Sequence, residues 1–142
     1  MLIDTDEGLA SIFQRVKRIA LVGASVKPER PSHQVMQFLL DEGFEVIPVN
    51  PGLVGQTLLG CEVVGSLEAI SGPVDIVDVF RQPSQLPEIA QSTIAIAAPL
   101  LWTQLDIRHQ AAEELALEHG INLVVDRCPA IEIPRLKRLG LL

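Results

Sequence analysis

The run Ile19-Ala20-Leu21-Val22-Gly23-Ala24-Ser25 decides the fold: four apolar residues without a polar interruption, stopped by a glycine. An alternating pattern would mean a sheet with one wet face, whereas an unbroken run means a central parallel strand covered on both faces. The residues downstream of the glycine support that reading. Val26-Lys27-Pro28-Glu29-Arg30-Pro31 is a loop with two prolines, and Ser32 is the expected N-cap of a helix from His33 to Glu42. Val35, Met36, Phe38, Leu39 and Leu40 form its apolar face, and Gly43 ends it. Phe44–Val49 then reads as a second strand, so the unit is strand, loop, helix, strand, closed by a right-handed crossover. Upstream, Leu9, Ile12, Phe13 and Val16 recur at helical spacing within Asp6–Lys17. Residues 1–17 are therefore a helical lead-in.

Beyond the second strand the rhythm continues. Asn50–Gly60 is broken by Pro51, Gly52, Gly55 and Gly60 and reads as a loop, Cys61–Val64 as a short third strand, and Ser66 as the cap of a brief helix. Val74–Phe80 is a fourth strand carrying Asp75 and Asp78, and Ser84 is the expected cap of a helix with Leu86, Ile89, Ala90 and Ile94. Pro99–Trp102 is a fifth strand, Arg108–His119 a helix stopped at Gly120, and Ile121–Asp126 a sixth strand before a short basic tail. Such alternation predicts one α/β domain over residues 1–142: a doubly wound parallel sheet in three layers, α/β/α, with strand order 3-2-1-4-5-6. Ligands of such sheets bind at the carboxyl ends of the strands where the winding reverses, here near Gly23, Asn50 and Phe80.

Composition narrows the function. The 142 residues include 18 acidic and 11 basic side chains, a formal charge of −7. This balance disfavours a broad electrostatic grip on nucleic acid or an anionic membrane. Aromatic content of 4% without tyrosine argues against a base-stacking platform. No run approaches the ~20 apolar residues of a membrane span, and Asp4, Asp6 and Glu7 are the opposite of a signal peptide's basic start. Two cysteines, Cys61 and Cys128, lack the spacing of a zinc site or disulfide scaffold. A cytoplasmic protein is expected.

The first turn is the chemically suggestive one. Gly23-Ala24-Ser25 lets backbone approach a phosphate while the helix from Ser32 directs free N–H groups and its positive end to the same place, a cradle for a diphosphate. Replacing Gly23 by Val is expected to block that approach and leave the fold intact. Lys27 and Arg30 sit in the loop of an otherwise acidic chain; the plainer readings are a strand-ending glycine and solvated cations. The dinucleotide fingerprint is absent, because no second or third glycine occurs at its offsets. The acidic residue that holds an NAD ribose is also missing: Val49 is followed by Asn50-Pro51, a loop suited to a different adenine nucleotide. His33, His109 and His119 read as surface or capping residues, and Asp75, Asp78 and Asp126 as residues that orient loops. Cys128 follows Arg127, whose charge lowers a neighbouring thiol's pKa. A buried structural cysteine is the alternative.

Six stretches, in order, carry a resemblance. Val22-Gly23-Ala24-Ser25, Arg30-Pro31-Ser32, Ile47-Pro48-Val49-Asn50-Pro51, Val74 to Arg81, Trp102-Thr103-Gln104 and Val125-Asp126-Arg127-Cys128-Pro129 together resemble the small bacterial and archaeal CoA-binding proteins. These in turn are similar to the N-terminal CoA-binding domain of the succinyl-CoA synthetase α-subunit. The match runs from about Ile19 to Leu136. It implies a Rossmann-like domain holding coenzyme A, with the diphosphate at Gly23, Ala24 and Ser25, and the adenosine bordered by Asn50 and Pro51. Val79, Phe80 and Arg81 would line the edge across the switch point, and Trp102 and Gln104 would close the pocket. Lys27, Arg30 and Ser32 complete the expected site. One departure stands out: the family commonly has glycine where this chain has Asp106, a turn open to a different shape.

Three readings stand. The first is a noncatalytic carrier, sensor or regulatory module for CoA or an acyl-CoA, without a nucleic-acid or membrane partner. The others are an NAD(P)-binding oxidoreductase-like domain and an interaction domain with a vestigial nucleotide pocket.

Overall fold

A computed structural model describes all 142 residues. In chain order the elements are α1 (Asp6–Arg15), β1 (Arg18–Val22), α2 (Pro31–Asp41), β2 (Glu45–Val49), β3 (Thr57–Leu58) and β4 (Cys61–Glu62). Next come β5 (Ile76–Val79), α3 (Leu86–Ala95), β6 (Leu100–Thr103), α4 (Gln110–Glu118), β7 (Asn122–Val124) and α5 (Pro129–Arg138). Five strands form one parallel sheet in the order β2-β1-β5-β6-β7.

Each strand feeds both faces of this sheet, as a continuous apolar run requires. Ile19 and Leu21 of β1 join α1, α2 and α5 in one core, through Leu9, Phe13, Met36, Leu39, Ile133 and Leu136. Ala20 and Val22 join α3 and α4 in the other, through Leu86, Ala90, Ala112 and Ala116. The chain thus winds from β1 by α2 to β2 on one side, and from β5 by α3 and α4 to β7 on the other. The reversal falls between β1 and β5, so this is a doubly wound, Rossmann-like sandwich whose switch point lies at Gly23.

Several local expectations need correction. Cys61–Val64 is not a third sheet strand. Leu59 and Gly60 both take positive φ, 48° and 80°, which makes a two-residue hairpin turn that folds β4 back on β3. Only Val64 reaches the sheet, bridging Val49 at the edge where the third strand was expected. Helix α2 starts earlier than predicted, because Pro31 occupies its first position and Arg30 its N-cap. Proline's fixed φ suits that place, and Ser32 is left inside the first turn. Ser84 likewise does not cap α3: it lies in a 3₁₀ turn over Pro83–Gln85. The lead-in includes more than a helix, since Leu2 bridges Leu123 and extends the sheet past β7.

The basic tail is a helix. In α5 the buried Glu132 accepts from Arg127 at 2.6 Å and from Arg135 at 2.7 Å, and Arg135 reaches Asp6 of α1 at 2.7 Å. Arg135 beside Asp6 holds that carboxyl below its ordinary pKa. No helix is long and apolar enough to cross a membrane.

Candidate functional site

A cavity of about 1010 Å³ opens above the carboxyl ends of β1, β5 and β6, at the switch point. Its walls come from the loop after β1, the start of α2, the turn after β5 and the turn after β6. Three cations line it, Lys27, Arg30 and Arg81, and no carboxylate does. Elsewhere Arg18, Arg108, Arg127, Arg135 and Lys137 are each ion-paired, while Arg15, Lys17 and Arg138 are not; the three cavity cations have no acidic partner and converge on one opening. In a chain of charge −7 this is a local reversal of sign. It marks a place for an anion.

The loop's backbone is organised differently from the expectation. Gly23 takes φ +94°, and a Cβ there would lie 2.7 Å from the carbonyl oxygen of Phe80. The glycine is required by the close pass of β1 and β5, so Gly23→Val would disturb the fold itself. The N–H groups of Gly23 and Ala24 both point at the Val49 carbonyl, at 3.0 and 3.3 Å. They are committed to the sheet and unavailable to a ligand. Of the N–H groups in this loop and helix start without a partner in the chain, those of Ser25, Val26 and Ser32 belong to residues that line the cavity, and that of Glu29 does not. The anion cradle is therefore displaced outward, onto the loop crest and the first turn of α2.

Two side chains hold that crest in place. Asn50 donates from Nδ2 to the Ala24 carbonyl at 2.8 Å and accepts the Gly52 N–H at 2.8 Å. His33 joins its Nδ1 to the Ser25 carbonyl at 2.9 Å. Asn50 borders the cavity, but both ends of its amide are occupied, so it acts as a brace between β2 and the loop.

The opposite wall is less charged. Gln104 donates from Nε2 to Oδ1 of Asp78 at 2.6 Å, and Cys128, Leu105 and Ile107 complete the surface. Asp78 is 1% exposed and its Oδ2 has no partner. Burial pushes this carboxyl up to about 7, against the opposing pull of the Gln104 hydrogen bond. Cys128 is not an activated thiol. Burial raises its pKa, and Arg127 is turned to Glu132 and the Asp4 carbonyl. The histidines are occupied locally: besides His33, His109 accepts the Ala112 N–H and His119 pairs with the Leu115 carbonyl.

The cavity brings together Gly23, Ala24, Ser25, Lys27, Arg30, Ser32, Asn50, Phe80, Arg81 and Gln104 of the predicted residues. It leaves out three. Trp102 is fully buried in the core, packed on Phe13 at 5.4 Å and donating to the Arg127 carbonyl, because a central strand position faces a helix layer. Val79 is equally buried within β5, on the face opposite Asp78. Pro51 lines a separate cavity of about 170 Å³ with Val22, Val49, Ser66 and Arg81, on the other side of the sheet's edge. Gln82, Ser84 and Gln85, which also line the main cavity, had no signal beyond their place after a strand end. Asp106 takes φ 66° with its N–H on Asp126 Oδ1, so the turn keeps a left-handed form suited to glycine.

Comparison with known proteins identifies the family. A family model described as a CoA binding domain matches residues 17–134. The Bacillus subtilis protein YneT, described as uncharacterized, is 42% identical over 120 residues, which are 84% of this chain and 87% of that one. The structure of cell-free ID.343 from Thermus thermophilus superposes with a TM-score of 0.90 at 41% identity, covering 94% of this chain and 99% of that one. A hypothetical protein from Pyrococcus horikoshii OT3 superposes with a TM-score of 0.91 at 37% identity, covering 94% and 93%.

Proposed function

The chain belongs to the CoA binding domain family, and from that premise we propose that it holds coenzyme A or an acyl-CoA across the carboxyl ends of β2, β1, β5 and β6. The observation that carries this reading is the set of three unpaired cations around a cavity without a single acid. CoA is a polyanion at one end and a neutral amide chain at the other. The cavity has that polarity: Lys27, Arg30 and free N–H groups on the β1 and α2 side, Arg81 on the turn after β5, and only uncharged residues, Gln104, Leu105 and Ile107, on the β6 side.

In this reading the diphosphate meets the N–H groups of Ser25, Val26 and Ser32, with Lys27 and Arg30 over it. The α2 N-terminus adds its positive end. The adenosine enters the smaller cavity beside Pro51, and Arg81, which borders both cavities, bridges the two portions. The pantetheine arm crosses Phe80 toward Gln104. A holding role, as carrier, sensor or regulatory module, is supported by the raised pKa of Cys128 and by histidines already bonded to backbone groups. The Asn50 brace, where a ribose-binding carboxylate would stand, disfavours NAD.

Thermal unfolding with added ligand tests the proposal. A ligand at 100 times its Kd adds about 2.7 kcal/mol to stability, a rise of several degrees for a domain of this size. CoA is expected to produce that rise, and NAD and NADP none. No shift in millimolar CoA or acyl-CoA, or a shift with NAD alone, overturns the reading.

A further inference from the structure

Asp78 is a buried ionisable group to which holding the nucleotide assigns no task. It sits in the middle of β5 between Leu21 of β1 and Trp102 of β6, an apolar position in the register of the sheet. An apolar residue there would remove the desolvation cost. One of its oxygens nevertheless has no partner, and the other is spent on a single side chain, the amide of Gln104. Gln104 is itself 5% exposed, and its side chain's only protein partner is Asp78. Its Oε1 is not a buried orphan, so that atom meets the cavity that Gln104 lines.

The oxygen that faces Gln104, Oδ1, accepts, and a proton on the carboxyl sits on the unpartnered Oδ2, so Asp78 turns the amide nitrogen inward and the amide oxygen outward. Without it the amide is free to turn over. We propose that Asp78 is a positioning residue that presents Gln104 Oε1 to the cavity as a fixed hydrogen-bond acceptor, and that this acceptor reads an amide N–H of the pantetheine arm. The inference rests on the proposal that the cavity holds CoA. Strands lie about 4.8 Å apart, so Gln104 at the end of β6 is about 10 Å from the loop after β1. An arm leaving a diphosphate on that loop passes over Phe80 to reach it. Its two secondary amides are the donors such an acceptor selects, and the nucleotide end of the ligand never meets it.

The test is calorimetric titration of the whole chain with CoA and with 3′-phospho-ADP, the same nucleotide without its arm. Asp78→Asn puts an amide that donates as well as accepts against Gln104, so the inward orientation of its nitrogen is no longer enforced and NH₂ is free to turn to the cavity. It is expected to weaken CoA at least tenfold and to leave 3′-phospho-ADP unchanged within twofold. Gln104→Leu is expected to do the same, and the Asp78→Asn, Gln104→Leu pair no more than Gln104→Leu alone. In Asp78→Asn combined with Gln104→Glu the hydrogen bond reverses direction but an oxygen again faces the cavity. CoA affinity is expected to recover. Equal weakening of both ligands by Asp78→Asn would reduce Asp78 to a structural role and overturn the inference, as would no weakening of CoA. Failure of the unaltered protein to bind either ligand would instead overturn the CoA reading.

Discussion

Gly23 illustrates how one residue type serves two demands. Its positive φ ends β1, and its missing Cβ admits the Phe80 carbonyl. Gly23→Ala is therefore expected to cost at least about 2 kcal/mol of stability from backbone strain and the steric clash together, measured by chemical denaturation. A variant as stable as the original would mean that β1 and β5 can part without cost. Asp78 makes the complementary prediction for pH. Its carboxyl ionises near 3.8 when unfolded and near 7 when folded. The folded state holds the proton across that window, so this residue's contribution to stability falls as pH rises from 3.8 to about 7, then levels off. Asp78→Asn should remove that component, giving a smaller decline over the window in denaturation midpoints against pH. An unchanged slope would mean that water reaches the carboxyl. The residue types at both positions were legible beforehand, but the burial of Asp78 was not, because an aspartate in a strand reads as a residue that orients a neighbouring loop.

The loop from Ser25 to Arg30 and the helix it feeds act together at the next scale. Its cations were plain in the sequence as a contrast with the acidic whole, and the cavity keeps that contrast: Lys27, Arg30 and Arg81 line it without an acidic partner and without a carboxylate among its walls. Arg30→Ala is expected to weaken CoA binding more at low salt than at high, because an exposed charge contact is screened over roughly 10 Å at 0.1 M ionic strength. Equal losses at both salts would return Arg30 to a solvated loop residue. The free donors of this loop were read one or two residues too early. The turn glycine advertises itself in a sequence, whereas the carbonyl that claims its N–H belongs to β2, residues away.

At the scale of the molecule, the two cores share one sheet, and the lead-in closes one of them. Leu9, Ile12 and Phe13 of α1 are buried with Trp102. Burying such side chains contributes about 1.5–3 kcal/mol each, together comparable to the ~5–15 kcal/mol that stabilises a domain. Deleting residues 1–17 is expected to abolish cooperative unfolding and expose Trp102, read by its fluorescence maximum and near-ultraviolet dichroism. A truncated chain that unfolds in one sharp transition would show α1 to be an appendage.

The amino-acid sequence alone determined the doubly wound sheet, because covered parallel strands need unbroken apolar runs and helices need a 3.6-residue period, both local signals. It also placed the switch point, since a strand-ending glycine followed by a proline-bounded helix start is readable within a dozen residues. Only the tertiary structure decided which amides are free, that Trp102 packs a core while Gln104 faces a cavity, and that Asp78 stands behind Gln104. Those are relations between residues 25 or more positions apart, and a neighbour brought close by folding leaves no mark on the local pattern of either partner.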